Sequence, residues 1–287
     1  LAGEICQRYI KVPPVLGELS AGILIGPHLL GGMGIGWIPP LFEAHSLAVD
    51  LDPVSYIPRE LWFLAQVSAI VLLFSTGLET NIKQFLRYVG PASAVALGGV
   101  VVPFSLGVVA TVAFGYANGF ASQEALFMGA IMTATSIGIT ARVLSDLGFL
   151  RSPEGVTILG AAVVDDVIGV LILTVVIGMA ETGDISLSTL GLVSLKSIGF
   201  WICLTGGGIL LARHISKLLL GFKVTGSVVG LSLCLALLAS GLAEVFGLAM
   251  IIGAYSIGLA LSGSELAKRI EEPMNGLYHA IVPVFFV

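Results

Sequence analysis

At 287 residues, 56% of them hydrophobic and 11% charged, with a mean hydropathy of +1.04, the chain is far oilier than a soluble domain, in which about a quarter of residues are charged. A net charge of −5, with only 13 Lys and Arg, leaves no electrostatic footprint for nucleic acid. Cys6, Cys203 and Cys234 lie singly in apolar runs, without metal-ligand spacing, and read as small buried hydrophobes.

What remains is an all-α polytopic membrane protein, and the 37 glycines suit helices that approach closely in a bilayer. A hydrocarbon core of about 30 Å needs about 20 apolar residues per helix. On that criterion spans fall at 1–10 (the tail of a helix), 14–30, 62–79, 89–115, 124–147, 155–180, 190–214, 225–243, 245–262 and 276–287. A cleavable secretory signal is not evident, and LAGEICQRYI reads as though the chain starts inside a helix.

The connections set the orientation, because Lys and Arg accumulate in cytoplasmic loops. Arg8 and Lys11, Lys83 and Arg87, Arg142 and Arg151, Arg213, Lys217 and Lys223, and Lys268 and Arg269 fall on alternate connections. Segments 116–123 and 181–189, and a tight turn at Gly241–Glu244, carry none. Segment 31–61, with Arg59 as its one basic residue, then faces outside, and Trp37, Pro39, Pro40 and Trp62 suit an interfacial stretch.

In this frame GAAVVDDVIG is the anomaly. Asp165 and Asp166 are the only ionisable side chains between Gly155 and Ala180. Asp165 lies about ten residues into its span, roughly 15 Å at 1.5 Å per residue, near the bilayer midplane. A charge there costs at least about 2.5–3.5 kcal/mol on insertion scales, so the pair needs a compensating role. Adjacent helical residues point about 100° apart. One carboxylate can therefore face an ion cavity while the other meets a structural or titrating partner.

The preceding span supplies oxygen. TATSIGITAR places Thr133, Thr135, Ser136 and Thr140 around Gly138. Such a run weakens a regular helix, and broken helices at the midplane are where transporters coordinate cations. Hydroxyls, carbonyls and carboxylates suit a hard monovalent cation, although Ser and Thr also simply bond carbonyls within a helix. For the counter-ion, Lys196 is the nearest lysine and poorly placed. Glu18, Glu79 and Glu244 read as interfacial, capping or turn residues. His28, His45, His214 and His279 lie near helix ends or loops.

A repeat is also visible. LGELSAGILIG (16–26) lies over IGAYSIGLALS (252–262), matching Gly17 with Gly253, Ser20 with Ser256 and Gly22 with Gly258. AIVLLFS (69–75) lies over AIVPVFF (280–286). The loop charges give the two copies opposite polarity, the pattern of inverted-repeat transporters. Copy one continues through the aspartate helix, whereas copy two stops at Val287. The chain therefore reads as truncated at both ends, with about 100 residues and three helices expected to follow.

Together GELSAGILIGP, FSTGLE, TATSIGITARVLSDLG, GAAVVDDVIG and VPVFFV resemble the cation:proton antiporter-2 family, in particular its bacterial sodium/proton antiporters with an Asp-Asp motif. The resemblance implies an inverted-repeat antiporter fold with broken crossing helices, a homodimer, and a core that moves elevator-fashion against a scaffold. On that pattern the core part is about 62–180 plus 276–287, and the dimerisation and scaffold part about 1–30 plus 190–262. Similarity implies that Asp166 is the main Na⁺- and proton-binding carboxylate and that Asp165 partners a lysine on a later helix. It also implies that Thr135 and Ser136 sit at the break, with Thr133 and Thr140 as supporting residues. The implied partners are Na⁺ (or Li⁺ or K⁺), H⁺ and the lipid bilayer of a bacterial inner membrane, with no cofactor and no enzymatic activity. A potassium/proton antiporter or potassium efflux system of the same family is the first rival. An intramembrane aspartyl protease is remote, because its aspartates face each other from different helices and no GxGD occurs here. A passive channel is disfavoured by the buried acids.

Overall fold

The computed structural model describes residues 2–26, 29–32, 58–182, 187–222, 224 and 226–287. Within them the regular elements are helices. α1 (Ala2–Ile5) passes into a π-helical turn at Cys6–Ile10, and α2 (Pro14–Ile25) starts on a proline at its first position. Then come α3 (Arg59–Glu79), α4 (Ile82–Ala113), α5 (Gln123–Thr133), α6 (Ile137–Asp146), α7 (Pro153–Thr182), α8 (Leu187–Leu220), α9 (Ser227–Val245), α10 (Met250–Leu261) and α11 (Glu265–Phe286). Among the described residues seven segments are long and apolar enough to cross a membrane, with α5 and α6 together forming one of them. The chain is an all-α polytopic membrane protein.

Side-chain caps set several boundaries that hydropathy misplaces. Asn81 Oδ1 accepts from the Lys83 and Gln84 amides at 3.0 and 3.3 Å, so α4 begins seven residues before the expected 89. Ser264 Oγ accepts from Ala267 N at 3.3 Å and opens α11 well before 276. The added stretch, ELAKRIEEPMN, is too polar for a hydropathy window, yet it buries Leu266, Ala267, Ile270 and Met274 at helical spacing. The turn expected at Gly241–Glu244 is displaced. α9 runs through Glu244 to Val245, and the chain reverses around Gly247, whose φ of +81° suits glycine. None of the three cysteines is buried, contrary to expectation: Cys203 and Cys234 are exposed and Cys6 intermediate. In a bilayer an apolar run also covers outward-facing positions, so an apolar context does not imply burial. Most of segment 31–61, with Trp37, Pro39, Pro40 and His45, lies outside the described residues, as do His28, Lys223 and positions 183–186 of the expected 181–189 connection.

α3 is the central strut. Every residue from Ser68 to Gly77 is buried, and α3 packs along α10 and α11. At its crossing with α10 two glycines meet. A Cβ on Gly258 would strike the Phe74 carbonyl oxygen and lie 3.1 Å from Gly77 Cα, while one on Gly77 would lie 2.8 Å from Leu259 N. The other matched glycines also sit at close approaches. A Cβ on Gly17 would lie 2.9 Å from Cys6 Sγ, one on Gly253 2.9 Å from Ser240 Cα, and one on Gly22 2.9 Å from Val287 Cα. A second group forms where α4 packs against α5 and α7, with α6 lying between this group and α2 and α3.

Candidate ion-binding site

The expected break in the 124–147 span is present. α5 stops at Thr133, Ala134 is extended (ψ 116°), and its amide turns back to Ile131 O at 3.3 Å. Ser136 is also extended (ψ 104°) and caps α6 by accepting from Ile139 N at 3.3 Å. The interruption therefore comes from hydroxyl chemistry at 133–136, where Thr133 Oγ1 donates to Ala130 O at 2.8 Å and Thr135 Oγ1 to Thr133 O at 3.3 Å. Gly138, expected to weaken the helix, lies within α6 and makes room for Phe285: a Cβ there would be 3.1 Å from its ring. The break sets the carbonyl end of one short helix against the amide end of another, with partial charges of opposite sign.

α7 runs unbroken past this point, with the aspartates close to the midpoint of its 30 residues. Asp165 is buried, and the Thr135 hydroxyl stands close enough to its carboxylate to turn its single proton there from Thr133 O. Asp166 is partly buried. Asp165 Oδ1 and Asp166 Oδ2 are both shielded and, among the described residues, have no hydrogen-bond partner. Two such carboxylate oxygens are far costlier than two unpaired hydroxyls. Thr135 and Ser136 stand accessible at the break, Thr135 next to Asp165, while no described contact joins Ser136 to either aspartate. Thr133 is buried and bonded within α5, and Thr140 is half-buried on α6; no described contact joins either to the aspartates. Lys196 is exposed, its ammonium 5.8 Å from the centre of the Phe246 ring.

Two neighbouring features escape a reading by hydropathy. Arg142, counted among the basic loop residues, is only 4% exposed and sits within α6. Its Nε lies 3.2 Å from Asp146 Oδ1, its Nη2 lies 3.6 Å from Glu18 Oε1 on α2, and its guanidinium centre stands 5.0 Å from the Tyr278 ring centre. The i,i+4 spacing of Arg142 and Asp146 in ARVLSD was the available signal. Glu79 ends α3 in a cavity of about 660 Å³ that Arg151 and Glu271 also line, and that pair bonds at 2.9 Å.

Comparison with known proteins decides the family. A family model described as "Sodium/hydrogen exchanger, transmembrane" matches residues 2–287. This chain belongs to the sodium/hydrogen exchanger family. It is 38% identical to the "High-affinity Na(+)/H(+) antiporter NhaS3" of Synechocystis, an alignment covering 100% of this chain and 64% of that protein. It is 34% identical to the "Probable Na(+)/H(+) antiporter GerT" of Bacillus cereus, covering 100% of this chain and 69% of that one. It is 33% identical to the "Na(+)/H(+)-K(+) antiporter GerN" of the same species, covering 100% of this chain and 67% of that protein. The chain thus spans roughly two thirds of the length of these relatives.

Proposed function

We propose that this family member works as a secondary sodium/proton antiporter in which Na⁺ and H⁺ compete for Asp166, with Asp165, Thr135 and Ser136 completing the site. The observation that carries the reading is the pair of shielded carboxylate oxygens without partners among the described residues, on a helix whose Asp165 stands next to Thr135 of the interrupted segment. Either a monovalent cation or a proton offsets that unmet charge, and each excludes the other. Lowering the pH on one side therefore weakens sodium binding on that side. Two titrating carboxylates favour more than one proton per sodium and hence electrogenic exchange.

The same reading has α4–α7 moving elevator-fashion against a scaffold, in a homodimer with its basic loops on the cytoplasmic face of a bacterial inner membrane. Packing supports a seam between α3 and α4, with α3 and α11 on the scaffold side, rather than boundaries near 62 and 276. The inverted repeat gains support from the glycine contacts. Gly17 and Gly253 each meet the preceding helix, while Gly22 of α2 meets the end of α11 and Gly258 of α10 meets α3.

In proteoliposomes carrying a ΔpH dye, Asp166→Asn is expected to abolish sodium-dependent dequenching, a loss of at least about a hundredfold; retained dequenching would sink the assignment. Potassium is the second reading, favoured by the name of the GerN relative. Comparing Na⁺, Li⁺ and K⁺ in the same assay separates the two.

A further inference from the structure

The buried arginine cluster joins elements on both sides of the proposed seam. α6 carries Arg142 and Asp146, α2 carries Glu18, and α11 carries Tyr278. Two of the contacts cross between helices, Glu18–Arg142 at 3.6 Å and Arg142–Tyr278 at 5.0 Å, while Arg142–Asp146 at 3.2 Å stays within α6. This division has a consequence for movement. Were α6 to move with the ion site, Arg142 would keep Asp146 as a travelling counter-ion and remain neutralised. Glu18 would stay on α2 and lose its partner.

The contact between the two helices is also the weaker one. Glu18 touches Arg142 through Oε1 alone, and its Oε2 is shielded without a hydrogen-bond partner among the described residues. Arg142 Nη1 is unpartnered too. A bidentate arginine–carboxylate fork would satisfy both atoms and bind more tightly. The observed pairing holds α6 in place without saturating either group, as a contact that must open repeatedly requires.

We propose that Glu18–Arg142 is a releasable latch that holds α6, and with it the helix break at 134–136, against α2 and α11, and that Asp146 keeps Arg142 neutral when the latch opens. Glu18, Arg142 and Asp146 are thus positioning residues that act on the ion site through α6. This rests on the reading of α4–α7 as the moving part.

The test pairs hydrogen exchange with transport. In Glu18→Gln, Arg142 keeps Asp146, so the protein folds while α6 loses its tie. Amide exchange across residues 137–146 is expected to rise about tenfold, with α3 and α10 unchanged. Asp146→Asn is expected to act in the opposite sense: α6 exchange stays at the wild-type rate or slows, while sodium-driven turnover falls about tenfold at an unchanged KM for sodium. A purely structural cluster would loosen α6 in both variants, and that result would overturn the latch. So would unchanged α6 exchange in Glu18→Gln, or an unchanged turnover in Asp146→Asn. A wild-type protein that exchanged no sodium for protons would instead defeat the antiport reading, and the opposed exchange pattern of the two variants would still decide the latch.

Discussion

Two regions at the heart of this molecule satisfy their polar groups in opposite ways. Along the α3–α10 crossing, Ser68–Gly77 and Ile252–Leu261 are buried throughout, and Gly77 and Gly258 bring the backbones into contact. Thr76 and Thr80 return their hydroxyls to Leu72 O and Thr76 O at 2.8 and 2.7 Å. The groups left over there, such as the Ser75 and Ser256 hydroxyls, are neutral. Around α5, α6 and α7 the backbone is interrupted, and the leftover groups belong to ionisable side chains: the carboxylate oxygens of Asp165 and Asp166 and Nη1 of Arg142. The first region is complete as protein. In the proposed mechanism the second is completed when a cation or proton joins it, which is what a transport site requires and a scaffold must avoid.

The contrast breaks most visibly at Gly258. In Gly258→Val the new Cβ meets the Phe74 carbonyl, and neither backbone can yield without separating the helices. A loss of about 3 kcal/mol or more is expected, seen as a fall of ten degrees or more in the Tm of the detergent-purified protein. Gly98→Val on α4, where an added Cβ would meet nothing within 4 Å beyond its own helix backbone, is the control and should stay within a degree or two. Equal tolerance at both positions would remove the distinction between a packed seam and the rest. The aspartates should show the reverse sign. Asp166→Asn, which ends exchange in the proposed mechanism, removes an uncompensated charge. Its Tm should equal or exceed that of the unmodified protein.

How far the sequence reveals these two regions depends on the kind of force involved. The aspartate pair is readable because the cost of charge in hydrocarbon makes GAAVVDDVIG conspicuous. The break at TATSIGIT is readable because a dense run of hydroxyls competes with the helix ladder. The polar half of α11 and the early start of α4 escape notice because capping and helical amphipathicity, rather than mean hydropathy, define them. Burial of Arg142 is only half visible, for a different reason. The i,i+4 spacing to Asp146 hints at it, but the second partner, Glu18, lies more than 120 positions earlier in the chain, and only folding brings it to 3.6 Å. Likewise nothing in the spacing says that α3 packs along α10 and α11, contacts that only the folded chain reveals.

Smaller effects sharpen the boundary of the site. Thr135→Val removes the hydroxyl placed to donate to Asp165 while preserving shape, so the unfolding Tm should hardly move. The apparent KM for sodium in liposomes should rise about three- to tenfold, the scale of one hydrogen bond to a charged group. An unchanged KM would take Thr135 out of the site and leave the aspartates to bind through backbone carbonyls.

The smallest effect is expected at Lys196, and it bears on where the site ends. Its ammonium stands 5.8 Å from the Phe246 ring centre on an exposed stretch of α8, a cation–π contact worth about 0.5–1 kcal/mol. If the aspartates find no counter-ion on α8, Lys196→Met should keep sodium-driven exchange within about twofold and lower Tm by no more than a few degrees. A loss approaching that of Asp166→Asn would mean that Lys196 leaves Phe246 and reaches the carboxylates in another state of the transport cycle. The site would then extend to α8, and the seam drawn beside α4–α7 would have to open wide enough to admit a lysine.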